Sequence, residues 1–181
     1  MRSRKSLFLS FIFACWSCGS GSGPYGFARR YVPLPEEEPL LKRSAFATLE
    51  DVRRLRPEEQ PFISWFGVVV EPPQNEGVKT RVRLSLRAHQ ERHLCSDENE
   101  SSCRVTVSER SMGHVTAIFH ARPQDLLPGP ERLGIGSLLR IYGRATGEID
   151  SMGDPVIQVE FYRHWPRHTY VTTQMAARMR R

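Results

Sequence analysis

Residues 138–162 read LLRIYGRATGEIDSMGDPVIQVEFY, and this stretch decides the fold class. It holds two runs in which apolar and polar side chains alternate, residues 138–149 and residues 155–162. A period of two places apolar side chains on one face of a β-strand and polar side chains on the other. Between the runs, residues 150–154 are Asp-Ser-Met-Gly-Asp, a composition typical of a turn. The stretch therefore predicts two consecutive strands joined by a turn.

Further segments have the composition of strands. Residues 62–70 (FISWFGVVV) are apolar on both alternations, which is typical of a central strand, and residues 78–86 alternate cleanly. Residues 104–107 and 115–120 are two shorter strand candidates around Ser-Met-Gly at residues 111–113. Five or six strands with almost no helix among them predict an all-β fold, a small closed or partly closed barrel. A glycine follows an aromatic residue in two of these strands, which suits sharp bends in a barrel.

A different composition precedes the strands. Residues 18–44 are rich in Gly, Pro and Glu, so they are predicted to form a flexible tether, with Glu36 to Glu38 as a solvated run. A short helix is expected next, because Thr48 can cap it and Pro57 stops it.

The first residues have the plan of a secretory signal peptide. A basic start is followed by a short apolar run at residues 7–14 (LFLSFIFA) and then by small residues. The run is far shorter than the roughly 20 residues that a membrane-spanning helix needs. The alternative is a buried N-terminal helix or strand, which would leave the glycine-serine run unexplained. We therefore predict a signal peptide at residues 1–14.

Two cysteines follow the apolar run. Residues 12–15 (Ile-Phe-Ala-Cys) resemble a bacterial lipobox, so Cys15 is the predicted lipidation site and Cys18 the alternative. Palmitate-type acyl chains on such a cysteine hold a protein on a membrane without a spanning helix. Trp16, rather than an aspartate, follows Cys15, which points to the outer membrane by the usual sorting rule. Cleavage by an ordinary signal peptidase after Gly19 is the alternative.

The other two cysteines, Cys95 and Cys103, bracket a polar stretch of seven residues. In an oxidising compartment such a pair is expected to form a disulfide. A pair of free thiols and a metal-binding pair are the alternatives, although neither a CxxC spacing nor a nearby histidine partner supports a metal.

Several segments together resemble the Slp-type bacterial outer-membrane lipoproteins. They are residues 48–55 (TLEDVRRL), 65–70 (WFGVVV), 136–147 (GSLLRIYGRATG) and 156–165 (VIQVEFYRHW). The resemblance covers about residues 45–172, and the third segment also resembles the fourth strand of OB-fold barrels. It implies an envelope location and an OB-like domain without enzymatic chemistry. The Cys95–Cys103 loop and the arginine-rich tail depart from the family.

No catalytic or metal-binding motif is complete. The zinc motif requires Glu next to a histidine, and the order in His89-Gln-Glu-Arg-His93 is wrong. His164 and His168 have no evident third ligand, and Asp97-x-Asn99-x-Ser101 lacks the glycine of a calcium loop. No serine has a Gly-x-Ser-x-Gly setting. We therefore expect no metal site, no cofactor and no enzymatic activity.

The net charge of +6 comes from the two ends of the chain. When six basic residues at the two ends are set aside, the rest of the chain has 20 basic and 20 acidic residues and is therefore neutral. A neutral domain argues against a dedicated nucleic-acid protein. The terminal residues in question are Arg2, Arg4, Lys5, Arg178, Arg180 and Arg181.

Two polar strand faces are candidates for binding an anion. They carry Arg81, Arg83 and Arg87 on one strand, and Arg140, Tyr142 and Arg144 on another. On an OB-like barrel such a face can hold phosphates, anionic lipid headgroups or a glycan. The alternative is cross-strand pairing with acidic residues such as Glu148 and Glu160 on an ordinary wet surface.

The predicted organisation is a signal peptide at 1–14, a lipid-anchor site and flexible tether at 15–44, an OB-like barrel at 45–172 and a basic tail at 173–181. The predicted function is that of an exported, lipid-anchored protein of the cell envelope, at the outer membrane and facing the periplasm. Its domain is expected to be non-catalytic and to bind an anionic lipid headgroup, a glycan or another envelope protein. The alternative is a soluble secreted or periplasmic OB-type module that binds an anionic oligomer, either glycan or nucleic acid.

Overall fold

The structure, a computed structural model, describes residues 30–56, 58–91 and 104–175. Within these residues, seven strands form one sheet, accompanied by three short helices. The strands are β1 (Phe62–Val69), β2 (Gln74–Glu76), β3 (Lys79–Gln90), β4 (Thr106–Phe119), β5 (Leu138–Ile149), β6 (Pro155–Trp165) and β7 (Val171–Thr172). The helices are α1 (Glu37–Arg43), α2 (Leu49–Arg53) and α3 (Pro123–Leu126).

Five of the strands close into a ring. The order around it is β3-β1-β5-β6-β4, and β4 pairs back with β3. The pairs in the ring are antiparallel except for β4 with β6, which run parallel. A five-stranded barrel with this connectivity has the architecture of the OB fold. The prediction of an all-β, OB-like barrel is confirmed.

The barrel interior follows from the alternation in the sequence. On β3, Val82, Leu84 and Leu86 are buried in the core, while the alternating positions, among them Arg81, Arg83 and Arg87, lie on the other face. Gly143 sits at a register shift between β5 and β6, where a Cβ atom would lie 2.3 Å from the carbonyl oxygen of Gln158. Only glycine allows the two strands to approach so closely at this bend.

Strands β3 and β6 run beyond their predicted ends, to Gln90 and Trp165, and the largest difference from the prediction is in β4. The sequence predicts residues 104–107 and 115–120 as separate strands, but half of the first and most of the second belong to the continuous strand β4. Gly113, with φ of 118°, carries the chain through the middle of that strand. The pairing of β3 with β4 shifts register on both sides of Arg87. The residues around Ser-Met-Gly, which the sequence suggests as a turn, are therefore accommodated as bulges within the paired strands.

The N-terminal segment, which we define as residues 30–44, packs on the outside of the barrel. The ring of Tyr31 contacts those of Phe66 and Trp165, with centroids 5.6 and 6.1 Å apart. Glu37, in the middle of the predicted solvated run, is fully buried. These contacts correct the tether prediction for residues 30–44.

Helix α2 begins as the sequence predicts. Thr48 Oγ1 accepts a hydrogen bond from Asp51 N, and the Asp51 carboxylate accepts one from Thr48 N in return. The helix buries Val52 in the core, and the preceding Ala47 carbonyl accepts a hydrogen bond from Trp65 Nε1. Helix α2 is thereby fixed against the barrel.

Within the described part of the chain, no helix is both long enough and apolar enough to span a bilayer. The predicted signal peptide, the candidate lipidation sites Cys15 and Cys18, the pair Cys95 and Cys103, and the end of the tail all lie outside the described residues.

Candidate functional site

A cleft of about 540 Å³ opens on the outer face of strands β3 and β4. One wall is the connection from β1 to β3, including Glu71 and Gln74, and the other is the turn from β5 to β6 at residues 150–154. Arg83 and Thr116 line it from β3 and β4. OB folds bind oligonucleotides and oligosaccharides on this strand face, between these two loops. We call this feature the cleft.

The turn at one side of the cleft is fixed by Asp150. Its Oδ1 accepts hydrogen bonds from the backbone N–H groups of Met152 and Asp154, both at 2.9 Å. Its Oδ2 accepts from Thr116 Oγ1 at 2.6 Å. Burial alone would raise the pKa of Asp150, but these hydrogen bonds outweigh it and lower the pKa below its usual value. Asp150 therefore stays ionised and holds the turn to β4.

Arg83 joins the two sides of the cleft. Its Nε donates to Asp154 Oδ2 and its NH1 donates to Glu71 Oε1, both at 2.7 Å. One carboxylate belongs to the β5–β6 turn and the other to the β1–β3 connection. A charge-assisted bridge through Arg83 therefore links the two sides of the cleft.

The cleft is not a basic surface. Arg81 pairs with Glu76 at 2.6 Å, and Arg83 is held by its two carboxylates. Two guanidinium groups line the cleft against three carboxylates, those of Glu71, Glu148 and Asp150. Among the described residues that line it, none is aromatic. The predicted basic stripe on β3 is therefore largely neutralised here.

The remaining predicted face residues lie elsewhere. Arg144 pairs across the strands with Glu160 at 3.4 Å, as the ordinary-surface alternative expects. Tyr142 is buried beneath the N-terminal segment, and Arg140 is almost buried there too. Arg87 donates to the carbonyl of Glu109 on β4. The structure therefore does not bring the six predicted residues together on one surface.

A buried ion pair fastens the N-terminal segment to the barrel. Arg163 NH1, on β6, donates to Glu37 Oε2 at 2.9 Å, and both side chains are nearly inaccessible to solvent. The Glu37 carboxylate also accepts from Leu34 N at 2.7 Å, from Tyr142 OH at 3.0 Å and from Tyr31 OH. Burial raises the pKa of Tyr31 to about 12, with the nearby Glu37 charge adding to the rise.

A second buried chain of hydrogen bonds joins β6 to helix α3 and to the residue before β5. His164 Nδ1 lies 2.9 Å from Asp125 Oδ1, and His164 Nε2 lies 3.0 Å from Ser137 Oγ. The order is that of a Ser-His-Asp triad. Ser137 is only 1% exposed, however, and its Oγ also accepts from Gly134 N at 3.2 Å. This arrangement satisfies buried polar groups and presents no accessible nucleophile.

The second carboxylate oxygen of Asp125 also accepts hydrogen bonds. Its Oδ2 accepts from Tyr162 OH at 2.5 Å and from Arg122 Nε at 2.9 Å. Burial alone would raise the pKa of Asp125, but the hydrogen bonds from His164, Tyr162 and Arg122 lower it to about 2. Because both ring nitrogens of His164 are occupied, this histidine is not available as the metal ligand considered with His168.

Sequence reasoning missed both buried networks. Glu37 lies among other glutamates, and nothing local marks it as the one that meets Arg163, 126 positions away. Asp125 and Ser137 stand in turn-rich segments where polar residues are ordinary. Among the described residues, no cluster of three or more His, Cys, Asp or Glu side chains could hold a metal ion.

No protein-family model and no curated protein matches the chain. Among solved structures, it is similar to the small single-stranded DNA-binding protein from Streptomyces coelicolor. The match has 16% sequence identity and a TM-score of 0.37, and covers 59% of this chain and 94% of that one. A likeness this weak supports no inference about ligands, so the OB-like assignment rests on the ring order of the strands. The resemblance to Slp-type lipoproteins stays a prediction.

Proposed function

We propose that this protein is an exported, lipid-anchored component of the cell envelope whose OB-like barrel binds a hydroxyl-rich oligomer, of the glycan class, in the cleft. The observation that carries the binding proposal is the position of the cleft, on the strand face and between the loops where OB folds bind polymers. The anchoring rests on the sequence of residues 1–18, with Cys15 as the lipidated residue. We propose no catalytic step.

The cleft lining favours sugar hydroxyls over phosphates. A hydroxyl group can donate to the carboxylates of Glu148 and Asp150 and accept from the guanidinium of Arg81. A phosphate chain would instead meet more carboxylates than guanidiniums. Single-stranded nucleic acid also relies on aromatic side chains for stacking, and the described lining of the cleft offers none.

An NMR titration of the purified protein tests this proposal. Neutral N-acetylglucosamine oligomers should shift the amide resonances of Arg81, Thr116 and the turn at residues 150–154. Ser151→Trp, which puts a large side chain into the cleft, should abolish the shifts. Leu127→Trp is the matched control, because Leu127 is exposed and does not line the cleft.

Heparin and a single-stranded oligonucleotide complete the experiment. Under the proposal, both bind more weakly than the neutral oligomers and show no dependence on Ser151. If either polyanion binds more tightly and Ser151→Trp abolishes that binding, the glycan proposal is wrong. A soluble module for anionic oligomers would then be the better account.

A further inference from the structure

A second depression, which we call the groove, lies apart from the cleft and shares no lining residue with it. Its volume is about 540 Å³, within the range of small-molecule sites. Phe46, Leu49, Trp65 and Met112 give it an apolar lining. Phe46 is 99% exposed and Met112 is 50% exposed, so two large apolar side chains stand open at its rim. Exposed apolar side chains grouped in this way mark binding surfaces.

Two arginines line the same groove, and they differ from the arginines of the cleft. Arg81 and Arg83 are paired with carboxylates, as described above. Arg87 and Arg140 have no carboxylate partner among the described residues. Arg87 donates to a backbone carbonyl, and Arg140 donates through Nε to Ser64 Oγ at 3.1 Å.

Aromatic rings surround the positively charged guanidinium of Arg140. Its guanidinium carbon lies 4.5 Å from the ring centroid of Tyr31, 4.9 Å from that of Phe66 and 5.0 Å from that of Tyr142. Ring faces stabilise a partly desolvated guanidinium without neutralising its charge. The groove therefore contains a fixed positive charge in a setting of low polarity, where an anion is attracted more strongly than in open water.

The charge of the groove is complementary to an anion. Its lining includes two arginines and one carboxylate, that of Glu50, which is already paired with Arg54 at 2.9 Å. The cleft, by contrast, has more carboxylates than guanidiniums. Apolar side chains thus lie beside two cations that no carboxylate of the described residues neutralises, and a ligand that matches both features must itself be amphipathic.

We propose that the groove binds a single-chain amphipathic anion, an alkyl chain that carries a carboxylate or phosphate head. The head pairs with Arg87 and Arg140. The chain lies against Phe46, Leu49 and Met112, whose flexible thioether side chain adapts to an alkyl surface. This site is independent of the proposed glycan cleft, so either proposal can fail without the other.

Calorimetric titration of the purified full chain with Cys15→Ser, which carries no acyl group of its own, tests the groove. Dodecanoate, kept monomeric, should bind, whereas dodecyltrimethylammonium, with the same chain and the opposite charge, should not. Arg87→Gln should weaken dodecanoate binding about tenfold, the loss expected for one charge-assisted contact. Phe46→Ala should weaken it as well, and it should leave the fold intact because this side chain buries no area in the free protein.

Matched variants control for general effects. Arg81→Gln removes a cleft arginine, and Val78→Ala removes another exposed apolar side chain outside the groove; neither should change dodecanoate binding. Equal binding of the two detergents, or no effect of Arg87→Gln, would overturn the proposal. So would binding to vesicles of anionic phospholipid with none to monomeric dodecanoate, since that result would indicate a membrane surface rather than a groove.

Discussion

The buried pair between Glu37 and Arg163 should dominate the attachment of the N-terminal segment. Glu37→Gln keeps the shape of the side chain and its hydrogen-bond acceptor but leaves the Arg163 guanidinium charged without a carboxylate. The two side chains are 0% and 2% exposed. Removing one partner of a buried ion pair typically costs about 3–5 kcal/mol, so we expect the free energy of unfolding to fall by about 3 kcal/mol.

The chain contains a matched control for this variant. Arg43 and Glu160 also join the N-terminal segment to β6, at 2.7 Å, but their side chains are 43% and 41% exposed. Exposed pairs contribute between about 0 and 1 kcal/mol. Glu160→Gln should therefore cost less than about 1 kcal/mol, although both substitutions remove one negative charge from the same attachment.

Urea unfolding at neutral pH measures both effects, and hydrogen exchange of the amides of residues 30–44 shows where they act. Glu37→Gln should accelerate exchange in that segment before the barrel opens. Adding Arg163→Met removes the unpaired charge, so the double variant should lose less stability than the sum of the single variants. If Glu37→Gln costs no more than Glu160→Gln, the reasoning about the buried pair is refuted.

Three further predictions concern the barrel. The pKa of Asp125 falls from 3.8 to about 2 on folding, so the stability that its carboxylate contributes is present above pH 4 and is lost as the pH falls towards 2. Urea unfolding at a series of acidic pH values should show this loss as about 2 kcal/mol of unfolding free energy. The loss should be absent from Asp125→Asn. Gly143→Ala should destabilise the barrel by more than about 2 kcal/mol in urea, because its Cβ would lie 2.3 Å from Gln158 O; a loss below about 0.5 kcal/mol would contradict the close approach. Burial raises the pKa of Tyr31 and of Tyr162 to about 12, so spectrophotometric titration should show both still protonated at pH 11, and ionisation near pH 10 in the folded protein would be inconsistent with their burial.

The barrel was predictable because its strands carry a period of two. The run from Leu138 to Ile149 shows this alternation directly, and it became β5 with the bounds that the sequence predicts. Gly143 also indicated the bend of β5, because a glycine inside an apolar strand marks such a bend. Pattern alone therefore determines the architecture where one face of each strand meets the core.

Long-range contacts decide what the pattern could not show. Tyr142 and Arg140 alternate with core residues, so the sequence places them on an outer, wet face. The N-terminal segment covers that face, and its position depends on a carboxylate that meets Arg163 from far along the chain. The same limit applies to the candidate sites. Loop carboxylates such as Glu71 and Asp154 decide which strand arginines are neutralised. The alternation within a strand carries no information about where these loop residues lie.

The lipid anchor is the central claim that a single measurement tests most directly. The intact mass of the protein from the membrane fraction of its native host should correspond to a chain that begins at Cys15 and carries a diacylglycerol group. Cys15→Ser should abolish this species. A soluble chain of unmodified mass, cleaved further downstream, would contradict the account and favour a free OB-type binding module.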